Sequence, residues 1–139
     1  MGMIHAELEL INTIDLAMVR RKLIDESKVR KVTVVALVDS GAYMMFINEP
    51  IKEQLGLDII DEQVVELATG QKERLKITEP IEVIFLNRST SCRALVLPGD
   101  AEILLGSIPM EDLDVIIDPK TQPLVLPPDR PYIAQKPLK

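Results

Sequence analysis

Val34-Val35-Ala36-Leu37-Val38-Asp39-Ser40-Gly41-Ala42 is the stretch on which the reading of this chain turns. A strand-like apolar run enters a carboxylate, a hydroxyl and a glycine. Tyr43-Met44-Met45-Phe46-Ile47 then resumes the apolar character at once. A charged Asp between two buried-looking segments is destabilising unless its surroundings compensate it. A turn of Asp, Ser and Gly offers that compensation through short-range hydrogen bonds. Asp39 is therefore the residue to explain first.

Upstream, Ile4, Ala6, Leu8 and Leu10 alternate with His5, Glu7 and Glu9, a period of two that predicts an amphipathic strand. Asn12 to Asp15 reads as a turn. Leu16, Val19, Leu23 and Ile24 fit one face of a short helix from Asp15 to Ile24, with Asp15 at its N-cap. Downstream, Asn48-Glu49-Pro50 opens a helix that Gly56 closes. Gln63–Ala68 and Glu73–Ile77 flank Thr69-Gly70-Gln71-Lys72 as a hairpin with glycine at its tip. Ile81–Leu86 and Ser91–Leu97 predict a second hairpin across Asn87-Arg88. Ile103-Leu104-Leu105 is a short strand ending at Gly106, and Ser107 can cap a helix over Ile108–Leu113. Val115–Ile117 and Pro123–Leu126 are the last strands, joined by a turn at Asp118-Pro119-Lys120-Thr121. Many short strands with close turn signals predict an all-β barrel bearing one or two short helices.

The chain has 139 residues, which fits one domain over 1–126 followed by a tail over 127–139. That tail holds Pro127, Pro128, Pro131 and Pro137 and is expected to be extended or disordered. Hydrophobic residues make up 47% and aromatics 3%, so the core must be branched aliphatics, which suit strands. The net charge of −6 disfavours a nucleic-acid partner, since phosphate binding needs a basic surface. The basic clusters Arg20-Arg21-Lys22 and Lys28 to Lys31 read as solvated faces. No N-terminal run resembles a signal peptide and no apolar run approaches membrane-spanning length, so a soluble cytoplasmic protein with no membrane partner is expected.

The chemical inventory is narrow. One histidine, His5, lies in a strand beside no evident partner, which disfavours Ser-His-Asp and Cys-His systems. The single cysteine, Cys92, precludes an intrachain disulfide and reads as a buried structural thiol. There is no Gly-rich phosphate loop and no His and Cys set with zinc spacing. Glu111, Asp112, Asp114 and Asp118 lack the glycine-bearing spacing of a calcium loop and read as a helix start and a turn. No metal and no cofactor is expected. Asp39 is left as the candidate for chemistry, with the alternative that Asp39 and Ser40 only make a turn.

The order of the flanking elements favours the first reading. Leu37-Val38-Asp39-Ser40-Gly41-Ala42 resembles the active-site motif of the retropepsin-like aspartic proteases, an apolar pair followed by Asp, Thr or Ser, Gly and Ala. Ile103-Leu104-Leu105-Gly106 resembles that family's second signature, an apolar pair ahead of Gly and a short helix. Ala68-Thr69-Gly70 falls where the family has its flap tip. The resemblance spans about residues 30–126 and is nearest to the single-domain versions of prokaryotic genomes. Here the tip has one glycine followed by Gln71, Lys72, Glu73 and Arg74, and the residue after Ala42 is Tyr43.

The resemblance implies a closed barrel working as a homodimeric aspartic endopeptidase on a peptide or protein substrate. Two carboxylates about 3 Å apart cannot both ionise, so they share a proton and activate a water between them. One motif per chain implies a twofold dimer, with Asp39 of each copy meeting on the axis. Asp39 is then the general acid and base, and Ser40 bonds across the axis. Gly41 permits close backbone approach and Ala42 stays small. Ala68, Thr69 and Gly70 cover the substrate, while Leu104, Leu105 and Gly106 support the active loop from below. The rival readings are a non-catalytic dimerisation or peptide-binding module of the same fold, and a small-molecule hydrolase using the same dyad.

Overall fold

The computed structural model describes residues 3–118 and 123–135. The first two strands, β1 (His5–Asn12) and β2 (Lys31–Val38), pair antiparallel with Leu8 opposite Val34 and Ala6 opposite Ala36. Ala6, Leu8, Leu10, Val34 and Ala36 are buried, whereas Glu7 and Val35 face solvent. The period-two pattern thus sorts one face inward. Between these strands lie α1 (Thr13–Arg20) and a single 3₁₀ turn at Glu26–Lys28.

After β2 the chain turns and forms β3 (Met45–Asn48) and α2 (Glu49–Leu55). The hairpin β4 (Ile59–Glu66) and β5 (Lys72–Thr78) comes next, then β6 (Ile81–Phe85), β7 (Arg88–Cys92) and β8 (Ala94–Leu97). The last elements are β9 (Leu104–Leu105), α3 (Ser107–Leu113), β10 (Ile116–Ile117) and β11 (Leu124–Val125). Nine strands form one curled sheet in the order β4-β5-β8-β3-β9-β2-β1-β6-β7, and β10 pairs with β11 apart from it. The ladder ends at β4 and β7, so the expected closed barrel is instead a curled, open half-barrel.

The two-residue strand β9 is central to the arrangement. It runs parallel to β2 (Leu37 to Leu104, Val38 to Leu105) and antiparallel to β3 (Met45 to Leu105, Phe46 to Leu104). β3, β8 and β9 are covered on both faces, which is why they read as continuous apolar runs rather than alternating ones. Met45, Ile47, Ala94, Val96 and Leu105 point into the main core with the β1, β2 and β6 side chains. Phe46, Leu95, Val65, Leu75 and Ile77 form a second, smaller core under the β4–β5 hairpin, with Leu104 and Leu97 packed against it.

Several local expectations change. Asn12 is the N-cap of α1, its side chain accepting from the Asp15 N–H, so the helix starts earlier than Asp15 and ends at Arg20. The Asp15 carboxylate is instead buried and clamped by the Arg30 guanidinium through two bonds of 2.9 Å, with a third from the Arg30 backbone N–H. Arg30 lies on a solvated face, its side chain about half exposed, and from there it is the partner that makes a buried acid tolerable. Ser91–Leu97 is two strands: β7 closes the hairpin with β6, and β8 departs to pair with β3 and β5. Sequence periodicity carries no mark of that sheet change. Gly106 occupies the cap position before α3 without a side-chain bond, and Ser107 is already helical. Three α-helices stand among the described residues rather than one or two.

The tail is tied down as far as Gln135. Arg130 forks onto Asp114 (2.7 and 2.8 Å), and the Gln135 N–H donates to the same carboxylate at 2.9 Å. The buried Arg88 donates to the Arg130 carbonyl from behind. His5 does have a partner, Glu102, at 2.8 Å on the surface. The Cys92 thiol is half-buried, and burial pushes its pKa up to about 12, as suits a structural thiol. Most of the expected Asp118–Thr121 turn lies outside the described residues.

Candidate active site

Asp39 follows the last residue of β2, and its position is set by the backbone on both sides. Its N–H donates to the Leu105 carbonyl at 3.0 Å, extending the parallel β2–β9 ladder by one rung. The Ala42 N–H then donates to the Asp39 carbonyl at 3.1 Å, closing the tight turn Asp39-Ser40-Gly41-Ala42. Inside that turn the Gly41 N–H donates to Asp39 Oδ1 at 2.9 Å. The half-buried carboxylate is thus oriented by a local amide, the compensation that a charge at a strand end requires. A Cβ at Gly41 would stand 3.2 Å from that same Oδ1, a tight contact that the carboxylate could relieve only by shifting a few tenths of an ångström from its place. Ser40 is exposed on the outside of the turn.

The second signature holds the far side of this loop. A Cβ at Gly106 would lie 2.2 Å from the Met44 carbonyl oxygen and 2.7 Å from its nitrogen, so the two backbones touch. Just beyond, the Ser107 N–H donates to the Ala42 carbonyl at 2.8 Å and the Ile108 N–H to the Tyr43 carbonyl at 3.0 Å. The first-turn amides of α3, which have no partner within the helix, are thereby satisfied by the segment leaving the Asp39 turn. Leu105 is fully buried beneath, and Leu104 faces the opposite side.

That opposite side opens into a cavity of about 610 Å³. Asp39, Gly41, Ala42 and Tyr43 line one wall, and Gln63 through Ala68 of the β4–β5 hairpin line the other. Phe46, Leu97 and Leu104 complete the lining. It is mainly aliphatic and aromatic, with Asp39 and Glu66 as its two carboxylates. Tyr43 stands edge-on to Phe46 (centroids 6.5 Å apart, 82° between planes), and the Gln63 side-chain amide donates to its phenolic oxygen.

Of the residues singled out in the sequence, Asp39, Gly41, Ala42, Ala68 and Leu104 share this cavity. Leu105 and Gly106 sit behind the turn as supports. Thr69 and Gly70 form the exposed hairpin tip, where Gly70 takes φ +85° and its N–H donates to the Leu67 carbonyl at 2.8 Å, and they do not line the cavity. Phe46, Gln63, Val64, Val65, Glu66, Leu67 and Leu97 do not stand out in the sequence as site residues, and Tyr43 stands out there only as the residue after Ala42. Once the hairpin is folded over Asp39, the end of β4 together with Leu67 and Ala68 meets the cavity. The alternation of Val65 and Leu67 was the available signal.

The chain resembles known proteins in the same terms. A crystal structure of the retroviral protease-like domain of Ddi1 from Leishmania major superposes with a TM-score of 0.55, covering 91% of this chain and 89% of that one at 19% identity. That likeness concerns the fold. No curated protein sequence is significantly similar. Residues 26–108 match the family described as aspartyl protease, a span that carries the Asp39 turn, the hairpin and the Leu105-Gly106 support. The chain belongs to the retropepsin-like aspartyl protease family.

Proposed function

We propose that the protein is an aspartic endopeptidase that works as a twofold homodimer. The observation that carries the reading is Asp39 held by the Leu105 carbonyl and the Gly41 amide at the wall of an apolar cavity, with a hairpin forming the opposite wall. A carboxylate so placed can take a proton from an attacking water or donate one to a substrate carbonyl. One carboxylate cannot do both at once, so a second is required on the other side of the scissile bond. With one motif in the chain, a second copy supplies it, and Asp39 from each meets at the axis. Ser40, exposed beside Asp39, is the residue available to bond across that axis.

The lining of Phe46, Val65, Leu67, Leu97 and Leu104 suits an extended peptide with bulky apolar side chains near the cleaved bond. Hairpin strands over the site offer backbone groups to such a peptide. Asp39→Asn tests this. The account predicts loss of cleavage of an apolar peptide library with an unchanged melting temperature. Cleavage at the wild-type rate would refute the mechanism. Binding of such peptides by the wild type without cleavage would favour a peptide-binding module of the same fold.

A further inference from the structure

Charge is unevenly spread along the chain. Residues 20–31 hold six basic residues and two acidic ones, a net +4, which leaves −10 for the rest of a chain whose net charge is −6. They lie in the excursion between β1 and β2, built from α1 and the 3₁₀ turn, and in the first residue of β2. Arg30 is committed to Asp15. Arg20, Arg21, Lys22, Lys28 and Lys31 are exposed, and among the described residues none of the five forms an ion pair. Glu82 acts on Arg20 only through space. Of the two acids, Asp25 turns its carboxylate onto the Ser27 N–H (3.0 Å) and hydroxyl (2.6 Å). The excursion is held at both ends of α1. Asp15 and Arg30 close its neck, where the Asn12 N–H also donates to the Arg30 carbonyl at 3.0 Å. The turn that closes α1 puts Lys22 at φ +59°, and the Lys22 and Leu23 N–H groups donate to the Val19 and Met18 carbonyls at 2.9 and 2.8 Å. An apolar residue after such a left-handed end ordinarily packs back onto its helix. Leu23, directly after Lys22, is instead 68% exposed.

We infer that this positive pole is an exosite that docks an acidic segment of a protein substrate, one bearing an apolar residue for Leu23. Charge complementarity names the occupant. An anionic membrane or a nucleic acid presents an extended surface, which would also meet the −10 remainder of the molecule. A peptide segment is narrow and need touch only the positive pole. The fold also keeps docking apart from chemistry. β2 begins at Lys31 and ends at Val38, next to Asp39. At ~3.3 Å per residue, its eight residues set the two sites about 26 Å apart. A docked segment therefore leaves the Asp39 cavity free, and the linkage raises the local concentration of the bond to be cut. Recruitment of substrate rests on the function proposed above; docking of an acidic segment does not.

The test uses the full chain and two readouts. The first is binding of a fluorescent peptide of glutamates with two leucines, measured by anisotropy on Asp39→Asn so that nothing is cut. Added salt should weaken it. Replacing Arg20, Arg21, Lys22 and Lys28 together by Gln should weaken it about tenfold in all, each exposed ion pair contributing little alone. Leu23→Ser alone should weaken it about threefold, the effect of one partly buried apolar contact. The second readout is cleavage of an apolar peptide joined to the same acidic segment. A Gly-Ser linker of about twenty residues averages about 25 Å and should lower KM about threefold, with kcat unchanged. A linker of about five residues reaches at most ~18 Å and should give no gain. The untagged peptide should be cut equally by wild type and the four-site variant. Equal binding by the four-site variant, or by a peptide with Gln for Glu, would overturn the exosite. So would an equal gain from the short linker, or binding to phosphatidylserine vesicles without binding to the peptide. If the wild type cleaves nothing while the binding pattern holds, the protease reading fails and the docking site stands.

Discussion

The Gly106 backbone lies against Met44 so closely that a Cβ at Gly106 would stand 2.2 Å from the Met44 carbonyl oxygen. This contact locks the support strand β9 and the start of α3 to the segment leaving the Asp39 turn. Gly106→Ala must push the two apart, and overpacking of this kind costs about 1–3 kcal/mol or more. Its melting temperature should fall by about 3–10 °C for a domain of this size. Gly70 offers the contrast. It needs a left-handed backbone (φ +85°) but has nothing within 4 Å of a Cβ position. Asn is among the residues least strained in left-handed backbone, so Gly70→Asn should lose less melting temperature than Gly106→Ala.

Leu105 carries the packing side of the same support. It is fully buried in the main core between β2 and β3. Leu105→Ala should destabilise by about 2–5 kcal/mol, since the rigid ladders on both sides prevent collapse of the cavity. Denaturant unfolding would show this as a lower midpoint with an unchanged slope.

The tail anchor should respond to acid. Asp114 sits at φ +56° with its carboxylate gripped by Arg130, the Gln135 amide and, from further off, Arg88. Those partners, Arg130 first, hold its pKa at about 2 against an ordinary value of 3.8. A carboxyl whose pKa is lower folded than unfolded stabilises the fold above its unfolded value, and the stabilisation is lost as pH falls through the folded value. The contribution should therefore be full at neutral pH and fade between about pH 4 and pH 2. Asp114→Asn, which accepts the left-handed backbone, should melt below wild type at pH 7, with the gap shrinking by pH 3. A constant gap would mean that charge is not what binds the tail.

Cys92 should be inert. Burial together with the nearby Asp112 and Glu82 raises its pKa to about 12, so almost no thiolate exists at neutral pH. Thiol reagents should label native protein slowly at pH 7.5, and quickly once denaturant is added.

The positions of Asp39, Gly41, Gly106 and the hairpin were legible in the sequence because each depends on local chemistry. An apolar run must stop at a charge, a turn takes Asp and Gly, and two β-rich runs flank a glycine. Other features depend on contacts distant in sequence. Asn12 caps α1 while its side chain donates to the Leu55 carbonyl, and Asp15 is tolerable only because Arg30 returns to it. The departure of β8 from β7 is set by its parallel pairing with β3, which leaves no periodic mark. Of the tip residues Ala68, Thr69 and Gly70, Ala68 lines the cavity, and the adjoining Gln63 to Leu67 line it too, because the hairpin folds over Asp39 along its length, a long-range arrangement with no local mark.

The central claim is that Asp39 is half of a catalytic site completed by a second copy. It is tested most directly by holding wild-type protein constant and adding an equal amount of Asp39→Asn under conditions of subunit exchange. Random pairing leaves half of the wild-type subunits with a wild-type partner, so peptide cleavage should fall to about half. Further excess of the variant should drive it towards zero. Cleavage unchanged by the added variant would contradict the shared site.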